Sequence, residues 1–167
     1  YGPGTQPRPT VDLAFQLIPA GYAPRTEEPF AFLRDLTGPI QYRRARFANA
    51  RAAAGEIRLD RTWHIAPPAA PTLVVRTAID EFDRFLDQAM NLRLTGSAKA
   101  ITLKVDRTGL TKPEAFRLEI SPAAITIHGY DDRALMRGLY HLQDLMDLRQ
   151  APILKPGTIL RSPRYSP

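Results

Sequence analysis

Ala115 to Met146, AFRLEISPAAITIHGYDDRALMRGLYHLQDLM, decides the fold. Phe116, Leu118 and Ile120 alternate with Arg117 and Glu119, and Ile125 and Ile127 alternate with Thr126 and His128. A period of two sends apolar side chains to one face of a strand and polar ones to the other. Ser121-Pro122-Ala123 supplies the turn between the two runs, so they read as a hairpin. Gly129 to Asp132 ends the sheet, and Asp131-Asp132 offers an acidic N-cap for a helix. Leu135, Leu139, Leu142, Leu145 and Met146 then recur at helical spacing. Gly138 falls on the same face, where a missing Cβ lets the helix come close to the sheet.

Upstream, Ala100 to Asp106 repeats the strand signature, with Ile101, Leu103 and Val105 set against Thr102 and Lys104. Before it, Thr77 to Leu92 places Ile79, Phe82, Phe85, Leu86 and Ala89 on one helical face and Asp80, Asp83, Arg84 and Asp87 on others. Thr77 is the expected N-cap, and Gly96 lies just past the end. Leu73-Val74-Val75 reads either as a brief strand or as the start of that helix. The fold class is α+β: a mainly antiparallel sheet with two helices packed on one face.

The flanks are less patterned. Tyr1 to Pro9 is a Pro/Gly-rich lead-in, and Val11 to Ile18 (VDLAFQLI) is apolar enough for a buried strand. Pro24 to Ala54 holds apolar residues without a sustained period and reads as short turns and loops. Ile57-Arg58-Leu59 and Trp63-His64-Ile65 are candidate short strands, followed by a break at Ala66 to Pro71. The expected organisation is a poorly defined segment 1–70, an α+β domain 71–150, and a linker 151–167 carrying Pro152, Pro156, Pro163 and Pro167.

Whole-chain properties narrow the function. At 167 residues and 44% hydrophobic composition the chain can bury a real core. No apolar run approaches the ~20 residues of a membrane span. The opening Tyr-Gly-Pro-Gly lacks the basic-then-apolar pattern of a signal peptide. Cysteine is absent, which excludes disulfides, a thiolate nucleophile and Cys-ligated metals. It leaves the compartment open, and an exported location, periplasmic or extracellular, is the expectation. The net charge of +6 invites a nucleic-acid reading. Most basic residues alternate with acids, however, and the dense patch Arg43-Arg44-Ala45-Arg46, with Arg51 nearby, reads as a solvated face or an anchor for a neighbouring domain. No nucleic-acid partner is expected.

No catalytic constellation is legible. His64, His128 and His141 are scattered without the spacing of a metal site. His128 reads as the outward face of a strand and His141 as an ordinary helix-surface residue. Asp131-Asp132 is better explained by capping, Glu114 by a turn and Glu119 by an exposed strand face. Neither a nucleophile elbow nor a phosphate-cradling Gly loop is present. The expectation is therefore no catalytic residue, no metal and no cofactor. Trp63, Tyr130 and Tyr140 are the candidates for stacking on a sugar.

The hairpin Phe116-Leu118-Ile120 with Ile125-Ile127, the acidic turn, and the helix carrying Gly138-Leu139 with Leu142 resemble the small N-terminal domain of family-20 glycoside hydrolases. These are β-N-acetylhexosaminidases and chitobiases, and a related domain precedes the barrel of α-glucuronidases. The Thr77–Leu92 helix matches the first helix of that domain. Ile159-Leu160-Arg161-Ser162-Pro163-Arg164-Tyr165 is similar to the I-x-D-x-P-R-F segment that leads into the catalytic barrel. Arg161 stands where that segment carries an acid, a departure that fits a divergent relative acting on another sugar. The resemblance runs from Leu73 to Tyr165.

The resemblance implies a non-catalytic accessory domain whose partner is the catalytic (β/α)8 barrel of the same polypeptide, with the acid–base carboxylates on that barrel. Ile153, Ile159, Arg161, Arg164 and Tyr165 are then the interdomain packing candidates, and an exposed apolar patch is expected around Tyr140, Ile153 and Ile159. The alternative is a stand-alone carbohydrate-binding or adhesion module with a glycan as partner.

Overall fold

The chain divides into two units, residues 1–40 and 41–167, and the computed structural model describes residues 42–164. The expected lead-in, the strand at Val11 to Ile18, the first part of the Pro24–Ala54 stretch and the packing candidate Tyr165 lie outside the described residues.

The elements in chain order are β1 (Ile57–Arg58), β2 (Trp63–Ala66), α1 (Leu73–Gln88), β3 (Lys99–Val105), β4 (Phe116–Ile120), β5 (Ala124–Gly129), α2 (Asp132–Arg149), β6 (Ile153–Leu154) and β7 (Gly157–Arg161). Five strands form one sheet in the order β2-β3-β5-β4-β7, and β1 pairs with β6 in a small second sheet. The pairings β5–β4, β4–β7 and β1–β6 are antiparallel, whereas β2–β3 and β3–β5 are parallel. The α+β class and mainly antiparallel pairing thus stand, with a parallel component that local patterning does not reveal.

The β2-α1-β3 crossover makes one parallel pair, and the other arises because β5, the return strand of its hairpin with β4, lies between β3 and β4. β2-α1-β3 and β5-α2-β7 are both strand-helix-strand crossovers that move the same way across the sheet. Crossovers of one hand and one direction put their helices on one face. Both helices accordingly share a core with Ile101, Leu103, Leu118, Ile125 and Ile127, all at most 1% exposed. Register keeps this face uniform, pairing Leu103 with Ile127, Ile127 with Leu118, and Leu118 with Ile159.

α1 starts five residues earlier than the Thr77 cap implies. Leu73-Val74-Val75 is the first turn, Thr72 sits at the N-cap position, and its side chain makes no capping bond. At the far end Asn91 takes a left-handed φ of 52°, and the Leu92 amide donates to the Leu86 carbonyl at 2.9 Å. That bond folds the chain back over the last turn, so Asn91 and not Gly96 supplies the left-handed residue after the helix. Gly96 serves packing instead, since a Cβ there would lie 2.3 Å from the Thr62 carbonyl.

α2 follows its sequence signals. The Asp131 carboxylate accepts from the Ala134 amide at 2.8 Å, and Gln150 closes the helix in the left-handed region. A Cβ on Gly138 would lie 2.3 Å from Ile127 Cγ2, which bears out the close approach of helix to sheet.

The flanks needed correction. Residues 151–161 are not a linker: β6 pairs with β1, and β7 forms a sheet edge against β4. Residues 57–66 likewise belong to the folded sheets. Ile153 is 2% exposed and therefore part of the fold, not free for another domain.

Candidate functional site

α2 has a second stripe besides its buried one. Arg137, Tyr140, His141, Asp144, Leu145 and Leu148 recur at three- and four-residue intervals on the side facing β7. Within it Tyr140 is 37% exposed and Leu148 83% exposed. Two adjoining depressions run along this seam. One, of about 370 Å³, is lined by Glu114, Phe116, Arg137, Tyr140, His141, Asp144, Arg161, Ser162 and Pro163. The other, of about 330 Å³, is lined mainly by Leu145, Leu148, Ile153, Leu154 and Ile159, with Glu56, Arg149 and Lys155 at its rim.

The polar depression is held by ion pairs on one side only. Glu114, in a left-handed turn at φ 63°, accepts from Arg137 at 2.5 Å and from Arg133 at 3.4 Å. The His141 ring packs on Phe116 with centroids 5.7 Å apart. Burial first, and then the positive charge of Arg161, pushes the His141 imidazole below its ordinary range. His141 is thus half-buried cleft lining and not an ordinary surface residue. The other half of the seam is apolar and open. Association with a second surface would bury Leu148 and the exposed part of Tyr140, and apolar burial is the general driving force for such docking.

The sugar-stacking candidates fare differently. Trp63 is 0% exposed, with Lys99 Nζ 5.3 Å from its ring centroid, so it offers no ring face to a ligand. Tyr130 is half-buried, and the Arg107 guanidinium lies over its ring at 4.5 Å while Arg107 Nε donates to the Tyr130 carbonyl. Tyr140 alone of the three reaches solvent on the seam. Of the packing candidates, Ile159 is half-buried in the apolar groove, Arg161 is exposed on the polar one, and Arg164 is exposed.

A charged network on the opposite face of the sheet escaped sequence reading. His128 Nδ1 lies 3.0 Å from Asp106 Oδ2, His128 Nε2 lies 3.5 Å from Glu119 Oε2, and Arg117 Nε donates to Glu119 Oε1 at 2.9 Å. Asp106 is held down to about 2, first by the Thr108 amide and hydroxyl and then by His128. The outward position of His128 was legible from alternation. Its contact with Asp106 was not, because that residue follows β3, a strand whose place beside β5 local patterning does not reveal. Among the described residues no group of three such side chains is placed to hold a metal.

No protein-family model matches the chain, and no curated protein sequence does. Solved structures do. The GH20 β-N-acetylhexosaminidase from Streptomyces coelicolor A3(2) superposes with a TM-score of 0.55 at 24% identity, covering 66% of this chain and 24% of that one. The Streptomyces plicatus N-acetyl-β-hexosaminidase gives 0.52 at 24% identity, with the same two coverages. A family GH115 4-O-methyl-α-glucuronidase with specificity for decorated arabinogalactans gives 0.50 at 19% identity, covering 64% of this chain and 18% of that one. The chain therefore shares its fold with part of two kinds of glycoside hydrolase and spans about a quarter of the hexosaminidases' length.

Proposed function

We propose that this chain is a non-catalytic accessory domain of a larger, exported glycoside hydrolase, packing on a (β/α)8 catalytic barrel through the α2–β7 seam. The likeness in fold to a quarter of each hexosaminidase supports the parentage. The carrying observation for the interface is the seam itself: an exposed stripe from Tyr140 to Leu148 beside an edge strand whose continuation, Ser162-Pro163, lines the same cleft. A chain leaving from the rim of a partly apolar cleft is well placed to lay the next domain over it. The binding-module alternative is less well supported, because Trp63 is buried and Tyr130 is covered, so of the three stacking candidates Tyr140 alone is open to a sugar.

The test starts from the gene beyond the codon for Pro167. The expectation is several hundred residues of alternating strand and helix, whose encoded protein cleaves aryl-glycosides. Within that full protein, Tyr140→Asp with Leu148→Asp should lower the barrel's melting temperature while leaving this domain's own fold intact. A gene that encodes no barrel, or a barrel indifferent to both substitutions, would overturn the reading.

A further inference from the structure

We infer that the strap from Arg43 to Arg51 is a binding surface for an anionic polysaccharide, one bearing carboxylate or sulfate groups; this rests on the glycoside-hydrolase reading above. The strap lies across the C-terminal ends of both helices and is fixed there by bonds from its main-chain amides. The Tyr42 amide donates to Gln88 Oε1 at 3.0 Å, the Ala45 amide to the Ala89 carbonyl at 2.9 Å, and the Phe47 amide to the Gln150 carbonyl at 2.9 Å. From the other side the Arg58 guanidinium donates to the carbonyls of Ala48 and Ala50. Ala45 and Ala48 are buried at 6% and 5%, whereas Arg43, Arg44, Arg46 and Arg51 are exposed and Phe47 is 58% exposed.

These arginines differ from half of the others in the described residues. Arg84, Arg93, Arg117, Arg133, Arg137 and Arg149 each meet a carboxylate within 4.0 Å, whereas among the described residues no carboxylate comes that close to any of the four on the strap. Guanidinium forks pair two oxygens at a time with carboxylate or sulfate. A depression of about 280 Å³ beside Arg43 and Arg46 is completed by Asp147 and Gln150. Asp147 offsets one of the positive charges but leaves carboxylate oxygen lone pairs for sugar hydroxyls, while Gln150 fixes the site, its Oε1 accepting from the Arg46 amide at 3.3 Å and its Nε2 donating to the Asp147 carbonyl at 2.7 Å. Phe47 adds an apolar face for a sugar ring.

Helix stabilisation and nucleic-acid binding make different demands on the strap. Cations near helix C-termini favour the macrodipole, which would make the arginines stabilising and indifferent to ligand. Nucleic acid is read by an element inserted into a groove or by successive stacking platforms. The strap has neither helix nor strand, and Phe47 is its only well-exposed aromatic.

The experiment measures binding of the full chain to a sulfated glycosaminoglycan oligosaccharide, oligogalacturonate, neutral dextran, and single- and double-stranded DNA of matched charge, at near-physiological salt. The triple variant Arg43→Ala/Arg44→Ala/Arg46→Ala should weaken binding to an acidic glycan about tenfold or more. A control removing Arg61, Arg76 and Lys104 should cost less than about twofold, as expected for remote, screened charges. The triple lysine variant, which keeps the charge, should still lose several-fold because the fork is gone. Thermal melts should stay level for all three.

Equal loss in strap and control variants, DNA bound more tightly than any glycan, no polyanion bound, or strap variants that only lose stability would each overturn the inference. An unaltered affinity in the lysine variant would overturn the fork geometry. Failure of the parent reading would show separately, in the gene beyond Pro167.

Discussion

α1 and α2 lie on the same face of one sheet, are of similar length and are both amphipathic, yet they are bounded by different physics. α1 begins at Leu73 without a side-chain cap, and Thr72 contributes only its backbone. What sets its limits is packing: Val75, Ala78, Phe82, Phe85 and Leu86 are buried, and the chain turns back once that stripe is covered. α2 is bracketed by local chemistry, with Asp131 closing its first turn and Gln150 its last. It also carries two stripes, one toward Ile127 and the core and one toward the open seam. A helix with a single buried stripe is a structural prop, whereas one with a second, solvent-facing stripe is where an interface is to be sought.

The contrast between the helices can be broken at several points. Truncation of α1's central anchor should have the largest effect: Phe82→Ala removes a fully buried ring and should cost about 3–5 kcal/mol in a urea or thermal melt. For α2, Gly138→Ala drives a methyl into Ile127 and should cost about 1–3 kcal/mol by overpacking. If Gly138→Ala cost as much in an Ile127→Ala background, which removes the Cγ2 it strikes, as in the native protein, close approach would not be the cause.

The caps sharpen the contrast directly. Asp131→Ala should lower stability by about 1 kcal/mol, while Thr72→Ala, which removes a hydroxyl that makes no capping bond, should stay within about 0.5 kcal/mol. Equal losses would mean that both helices are capped alike.

The smallest effect concerns pH. The folded state lowers the His141 pKa below 6.5 through burial and Arg161, so the unfolded chain binds its proton first. The resulting stability is fully present above pH 6.5 and is lost as pH falls toward and through the folded value. Melts of the native protein and of His141→Gln at pH 7.5 and 5 should show the native protein losing more on acidification. A native protein that loses no more than the variant would remove His141 from the account.

Legibility tracked the range of the signal. β4, β5 and α2 were readable because alternation, the Ser-Pro turn and the Asp cap all act within a few residues. β6 and β7 were hidden by Pro152 and Pro156, which resemble linker composition. Proline is tolerated at strand starts and edges because no ladder donor is needed there, and β7 is such an edge strand. Trp63 suggested a ligand contact by residue type alone, and its burial depends on the pairing of β2 with β3. The seam was half legible: of the patch expected around Tyr140, Ile153 and Ile159, Ile153 is buried, and Leu148 and the cleft needed β7 in place beside α2.

The sequence by itself determined the elements from Ala100 onward to the end of α2, the N-cap of that helix and the need for glycine at position 138. These arise from side-chain periodicity and from hydrogen bonds closed within one turn. Only the tertiary structure decided that β5 slots between β3 and β4, that the proline-bearing tail completes the sheet, and that α2 keeps one side open. Strand order and burial depend on which distant segments meet, and that is settled by covering a shared apolar face, which no short window of sequence contains.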